Sequence, residues 1–135
     1  MGRMKKSWYA AHILMAIKRV DGKQRTFPIF ENVVIFQGVS AAAVRQVATE
    51  HAHEEYEGDS SLTLNGRPAR MVFVGIRKIV ECQDSTARAL RSPVKRNRGP
   101  GEGTEVTYSV YSVAGAVGLK ALAAGKKVSV VYDGG

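Results

Sequence analysis

Trp8-Tyr9-Ala10-Ala11-His12-Ile13-Leu14-Met15-Ala16-Ile17, followed by Asp21-Gly22, is the stretch whose reading decides the fold. With a period of two, Tyr9, Ala11, Ile13, Met15 and Ile17 fall on one side, and Trp8, Ala10, His12, Leu14 and Ala16 on the other, as in a strand. Asp21-Gly22 supplies the chemistry of a two-residue hairpin turn, whose central positions both need positive φ. A return strand is therefore expected. Pro28 cannot donate a ladder hydrogen bond, so a bend or bulge is expected there before a clearer strand over 32–39.

Ser40 is a good N-cap for a helix over 41–56, with Val44, Val47, Ala48 and His51 on one face. Glu50, Glu54, Glu55 and Glu57 crowd its C-terminal end, where the helix dipole is also negative and a cation would be welcome. Asn65-Gly66 marks a second hairpin, with 62–64 before it and a long strand over 70–82 after it. Alternation returns over 104–113, a short helix follows over 114–124 with Gly125 as its stop, and 127–132 reads as a last strand. Gly115 and Gly118 weaken that helix but would let it approach the sheet closely.

This pattern predicts one α+β domain over residues 1–135, with a mainly antiparallel sheet of about five strands, two helices and the order β-β-α-β-β-α-β. Residues 83–103 break all periodicity and close on Gly99-Pro100-Gly101-Glu102-Gly103, so a flexible basic loop is expected there.

The 135 residues suit a single core, and 44% hydrophobic content can fill it. No apolar run reaches the roughly 20 residues of a membrane-crossing helix. The basic start ahead of Trp8 has no small-residue cleavage site and reads as a strand rather than a secretory signal. Cys82 is the sole cysteine, which excludes an internal disulfide and a cysteine-based zinc site within one chain and fits a reducing cytoplasm. The net charge of +8 is segregated: residues 1–30 carry +6, 31–66 carry −5, 67–98 carry +7 and 99–135 balance. Such segregation favours an anionic partner for a basic face.

Four stretches, Trp8-Tyr9-Ala10-Ala11, Glu31-Asn32-Val33-Val34, Phe73-Val74-Gly75-Ile76-Arg77-Lys78 and Gly103-Thr104-Glu105-Val106-Thr107-Tyr108-Ser109, stand in the order seen in small bacterial proteins of the domain of unknown function 4288 family. The chain resembles that family over roughly 7–132, with 83–101 looking like an insertion. The resemblance implies the fold and a bacterial source. It implies no activity, cofactor or catalytic residue.

The residues themselves offer little chemistry. His51 and His53 are two apart on a helix and point in different directions; His51 with Glu55 share a face but have no third ligand in view. Neither Ser109 nor Cys82 has the local signature of a nucleophile beside a base. The glycines of 99–103 lack the Lys and Ser/Thr of a phosphate loop and precede a strand. The expectation is no catalytic residue, no metal and no cofactor.

Apolar character on both sides of several strands is more informative. If Tyr9, Ile13 and Ile17 face the helices, then Trp8, His12 and Leu14 face away, and Phe36, Phe73 and Tyr111 could join them in an exposed aromatic surface for a protein partner or a second copy. The competing arrangements are a sheet that curls over itself, or helices lying on opposite faces. The reading favoured by the sequence is a non-enzymatic interaction protein, for instance of inhibitor or immunity type. The alternative is a nucleic-acid-binding accessory domain, with Arg70, Arg77, Lys78, Arg88, Arg91, Lys95, Arg96 and Arg98 on phosphates and aromatics stacking on bases.

Overall fold

A computed structural model describes residues 6–57, 62–82 and 102–132. Its elements in chain order are β1 (Ser7–Arg19), β2 (Thr26–Gly38), α1 (Ala41–Tyr56), β3 (Thr63–Leu64), β4 (Arg67–Glu81), β5 (Glu105–Ala114), α2 (Gly115–Ala123) and β6 (Val131–Tyr132). The strands form one sheet in the order β3-β4-β1-β2-β5-β6, with every neighbouring pair antiparallel. The α+β class stands, with six strands in place of five. The order gains one strand between the helices, since β3 is a separate two-residue strand. The basic residues Arg88, Arg91, Lys95, Arg96 and Arg98, and most of the expected loop over 83–103, lie outside the described residues.

The two hairpin signals behave differently. Asn65 (φ 54) and Gly66 (φ 77) are both left-handed, and Leu64 pairs with Arg67 directly across them, so this is the two-residue turn the sequence calls for. Between β1 and β2 the register ends at Ala16 and Ile29, too early for a two-residue turn at Asp21-Gly22. Gln24 fills the widened mouth. Its Oε1 accepts from the Arg19 amide, and its Nε2 donates to the carbonyls of Ile17 and Thr26 at 2.9 and 3.0 Å. Pro28 lies beyond that last β1–β2 pair, so β2 runs through it unbroken while pairing it with Ser112 of β5.

Ser40 caps α1 as its type suggests: it is extended, and its Oγ accepts from the Ala43 amide at 3.1 Å. Ser40→Ala is expected to cost about 1 kcal/mol, read as a lower urea midpoint at unchanged slope. The buried stripe of α1 is Val44, Ala48 and Ala52; Val47 is left 42% exposed. These residues pack on Tyr9, Ala11, Ile13, Met15, Val34, Phe36 and Ile76, with Phe73 and Met71 alongside.

The other face carries its own core. Leu14, Ala16, Phe27, Ile29, Tyr111 and Val113 are covered by Leu119 and Leu122 of α2 and by Val128 and Val130. Gly118 allows the approach, since a Cβ there would come 2.9 Å from Val113 Cγ2. Because Val128 and Val130 pack onto this face, 127–130 do not join the sheet, and the expected strand over 127–132 shrinks to Val131–Tyr132.

The helices thus lie on opposite faces, and the open aromatic surface expected from Trp8, His12, Phe36, Phe73 and Tyr111 does not form. Register is the reason. Phe36 pairs with Tyr9 and Phe73 with Met15, which puts both under α1, whereas Trp8, His12 and Tyr111 belong to the opposite side. Trp8, Phe36 and Tyr111 are buried. No described helix is long and apolar enough to cross a membrane.

Candidate functional site

Within the apolar strand β2, Glu31 and Asn32 interrupt the pattern, and both are buried. Glu31 pairs with Leu14 of β1 and Ser109 of β5, on the face that α2 covers. A carboxylate there must be satisfied by donors from its neighbours. His12 on β1 and Tyr111 on β5 are two of them. The third arrives through a bulge: in the β1–β4 ladder His12 pairs with Lys78 and Ile13 with Ile76, leaving Arg77 as the extra residue.

Arg77 Nη2 donates to Glu31 Oε2 at 2.6 Å, His12 Nδ1 lies 2.7 Å from the same oxygen, and Tyr111 Oη donates to Oε1 at 2.6 Å. Burial alone would raise the Glu31 pKa. The bonds from His12, Arg77 and Tyr111, together with the charge of Arg77, reverse that and bring it to about 2. An ionised carboxylate only accepts, so His12 carries its proton on Nδ1. Tyr111 is pushed up, by burial first and then by its bond to Glu31. The Arg77 pKa is raised in turn by the same carboxylate.

Above Glu31, Arg77 and Tyr111 opens a cleft of about 530 Å³. Its walls are Leu122 and Gly125 at the end of α2, residues 126–130, and Tyr132, whose ring meets Tyr111 edge-on at 5.4 Å.

A second feature lies at the sheet edges. The outer edge of β4 is guarded by two bulges, by Pro68 and Lys78, and by side chains on its spare backbone groups: Glu57 accepts from the Phe73 amide at 2.7 Å and Arg45 donates to the Ile76 carbonyl at 3.2 Å. That bond from Phe73, with His53 second, lowers the Glu57 pKa, so the acidic end of α1 is partly spent on holding β4. The edge of β5 carries one bulge, where Val106 is the extra residue between the pairs Val33–Thr107 and Val34–Glu105, and among the described residues no side chain bonds its spare backbone groups. Among the described residues β6 pairs only with Tyr111 and Ser112 and no strand lies on the outer side of 105–110, where Val106 and Tyr108 are exposed at 47% and 60%.

Of the basic residues expected on phosphates, Arg70 and Lys78 are exposed, but Arg77 is turned onto the α2 face, where Glu31 balances its charge. Of the expected interface residues, His12 and Tyr111 meet at Glu31, and the other three do not. Glu31 escaped the reading of the sequence as a site. Its signal was a lone acid inside a strand apolar on both sides.

A model for a family described as Domain of unknown function (DUF4288) matches residues 8–89. The chain belongs to this family. The match takes in β1 to β4 and α1, hence His12, Glu31 and Arg77 of the polar centre, and ends well short of the 7–132 span of the resemblance. In this DUF4288 protein, Tyr111, α2 and the far wall of the cleft all lie beyond the matched residues. No curated protein and no solved structure matches the chain.

Proposed function

We propose that this DUF4288 chain is a non-enzymatic interaction protein that works as a pair, joining a second copy of itself edge to edge through β5. The observation that carries this reading is the contrast between a β4 edge blocked by two bulges, charges and side-chain bonds and a β5 edge that, among the described residues, has a single bulge at Val106, no side-chain bond to its backbone and exposed apolar side chains. Strand edges template pairing with another chain unless they are blunted.

A second copy suits the edge because antiparallel pairing about a two-fold axis normal to the sheet keeps equivalent faces on the same side. Setting Val106 opposite the Tyr108 of the second copy, and Thr107 opposite its own equivalent, puts Glu105 against Ser109 and places no like charges face to face. This register uses the part of β5 whose outer side is unpaired among the described residues. The exposed Val106 and Tyr108 would then cover one another. With both sheet faces already occupied by helices, the edge takes over the role expected of the aromatic face.

Sedimentation at about 100 μM, far above a micromolar dissociation constant, should show a dimer for the natural chain. Val106→Lys with Tyr108→Lys sets charges across the junction and should weaken it at least tenfold, with the far-ultraviolet spectrum unchanged. A natural chain that stays monomeric, or a dimer indifferent to the two lysines, overturns the proposal.

A further inference from the structure

The cleft over Glu31 has features that packing alone does not require. Its floor is charged and held in place: Glu31 has both oxygens engaged by three donors, which fixes the Arg77 guanidinium against one of them. Among the described residues, only Nη2 of that guanidinium has a partner, and Nε is buried without one. The opposite wall brings Lys126 and Lys127, both exposed. Counting Glu31 as −1 and Arg77, Lys126 and Lys127 as +3, the described lining residues sum to +2, and Glu31 is the only acid among them.

The wall between those lysines and β6 is extended chain. Residues 127–130 make no backbone hydrogen bond with other described residues, although Val128 and Val130 tie the segment to the core below. Free amides beside two lysines and an arginine form a donor-rich concavity of the kind that receives oxyanions. Its volume is within the range of small-ligand pockets. Tyr132, 66% exposed, offers an apolar surface to the organic part of a ligand.

We infer that this cleft binds a small phosphate monoester, with the phosphoryl group between Arg77 and the two lysines and its organic part against Tyr132. A phosphate monoester carries a charge of about −1.5 to −2 at pH 7, which matches the lining where a carboxylate would supply half as much. Glu31 acts here as a positioning residue. It holds the guanidinium in place, and three of its roughly four acceptor positions are already taken by His12, Arg77 and Tyr111.

The test is a titration of the full chain followed by amide NMR, with phenyl phosphate, inorganic phosphate and benzoate as probes. Phenyl phosphate should shift the amides of 125–132 saturably, more tightly than benzoate, and less so as salt is raised. Lys126→Ser with Lys127→Ser, both at exposed positions, should weaken it at least tenfold while the remaining spectrum stays in place. Absence of saturation by about 10 mM, which corresponds to under 3 kcal/mol of binding, overturns the assignment. So does benzoate binding equally well, or binding undiminished in the lysine variant. The β5 edge is untouched by these changes, so dimer formation and ligand binding stand or fall separately.

Discussion

Replacing Glu31 with glutamine is expected to lower the stability of the fold by about 3 kcal/mol at neutral pH. The substitution keeps the shape but removes the charge opposing Arg77, and it sets an amide N–H₂ among donors from Arg77, His12 and Tyr111 that need acceptors. Acid should produce the same loss in the natural chain. Glu31 is held at about 2 in the folded protein against an ordinary 4.5, so folding favours its ionised form. Its contribution, about 3 kcal/mol, is complete above the unfolded value and drains away as pH falls from about 5 toward 2. Urea unfolding followed by Trp8 fluorescence should therefore show a wide gap between the natural chain and Glu31→Gln at pH 7 and a narrower one at pH 3. Equal stabilities at pH 7 would remove the carboxylate from its central place in the sheet.

Leu14→Ala should cost about 3 kcal/mol, as much as Ile13→Ala on the opposite side of the same strand. Both side chains are fully buried, Ile13 under α1 and Leu14 under α2. A sheet covered on one face only would make the two unequal, since truncating an exposed leucine costs no more than about 0.5 kcal/mol. Paired chemical unfolding of the two variants discriminates these cases, and a negligible loss for Leu14→Ala would place α2 elsewhere.

Local signals were the most readable part of the chain. Ser40 and the run after it define α1 from Ala41 to Tyr56, and Asn65-Gly66 defines its turn, because caps and left-handed turns depend on a few adjacent residues. The alternation of β1 correctly separates Ile13 from Leu14. It cannot say which side each helix takes, because that depends on connections through residues far along the chain. The same limit misplaced Phe36 and Phe73, whose sides follow from their pairing with Tyr9 and Met15. Arg77 was misjudged for a related reason. A bulge sends it toward Glu31, and a bulge becomes visible only when two strands are laid side by side. Gln24, which looks like an ordinary loop residue, widens the first hairpin by supplying three hydrogen bonds from its side chain.

The cover that α2 and Val128 lay over Leu14, Ala16 and Ile29 has a consequence for the order of events at the ribosome. Strands β1, β2 and β4 and helix α1 leave the exit tunnel first and can assemble the α1 side at once. Their other face must wait for roughly 40 more residues, about 2–8 s of synthesis. During that interval a nascent sheet displays bare leucine, isoleucine and alanine to solvent, and the later-made α2 segment ends the exposure. Timing, as much as final stability, is thus written into which helix comes second.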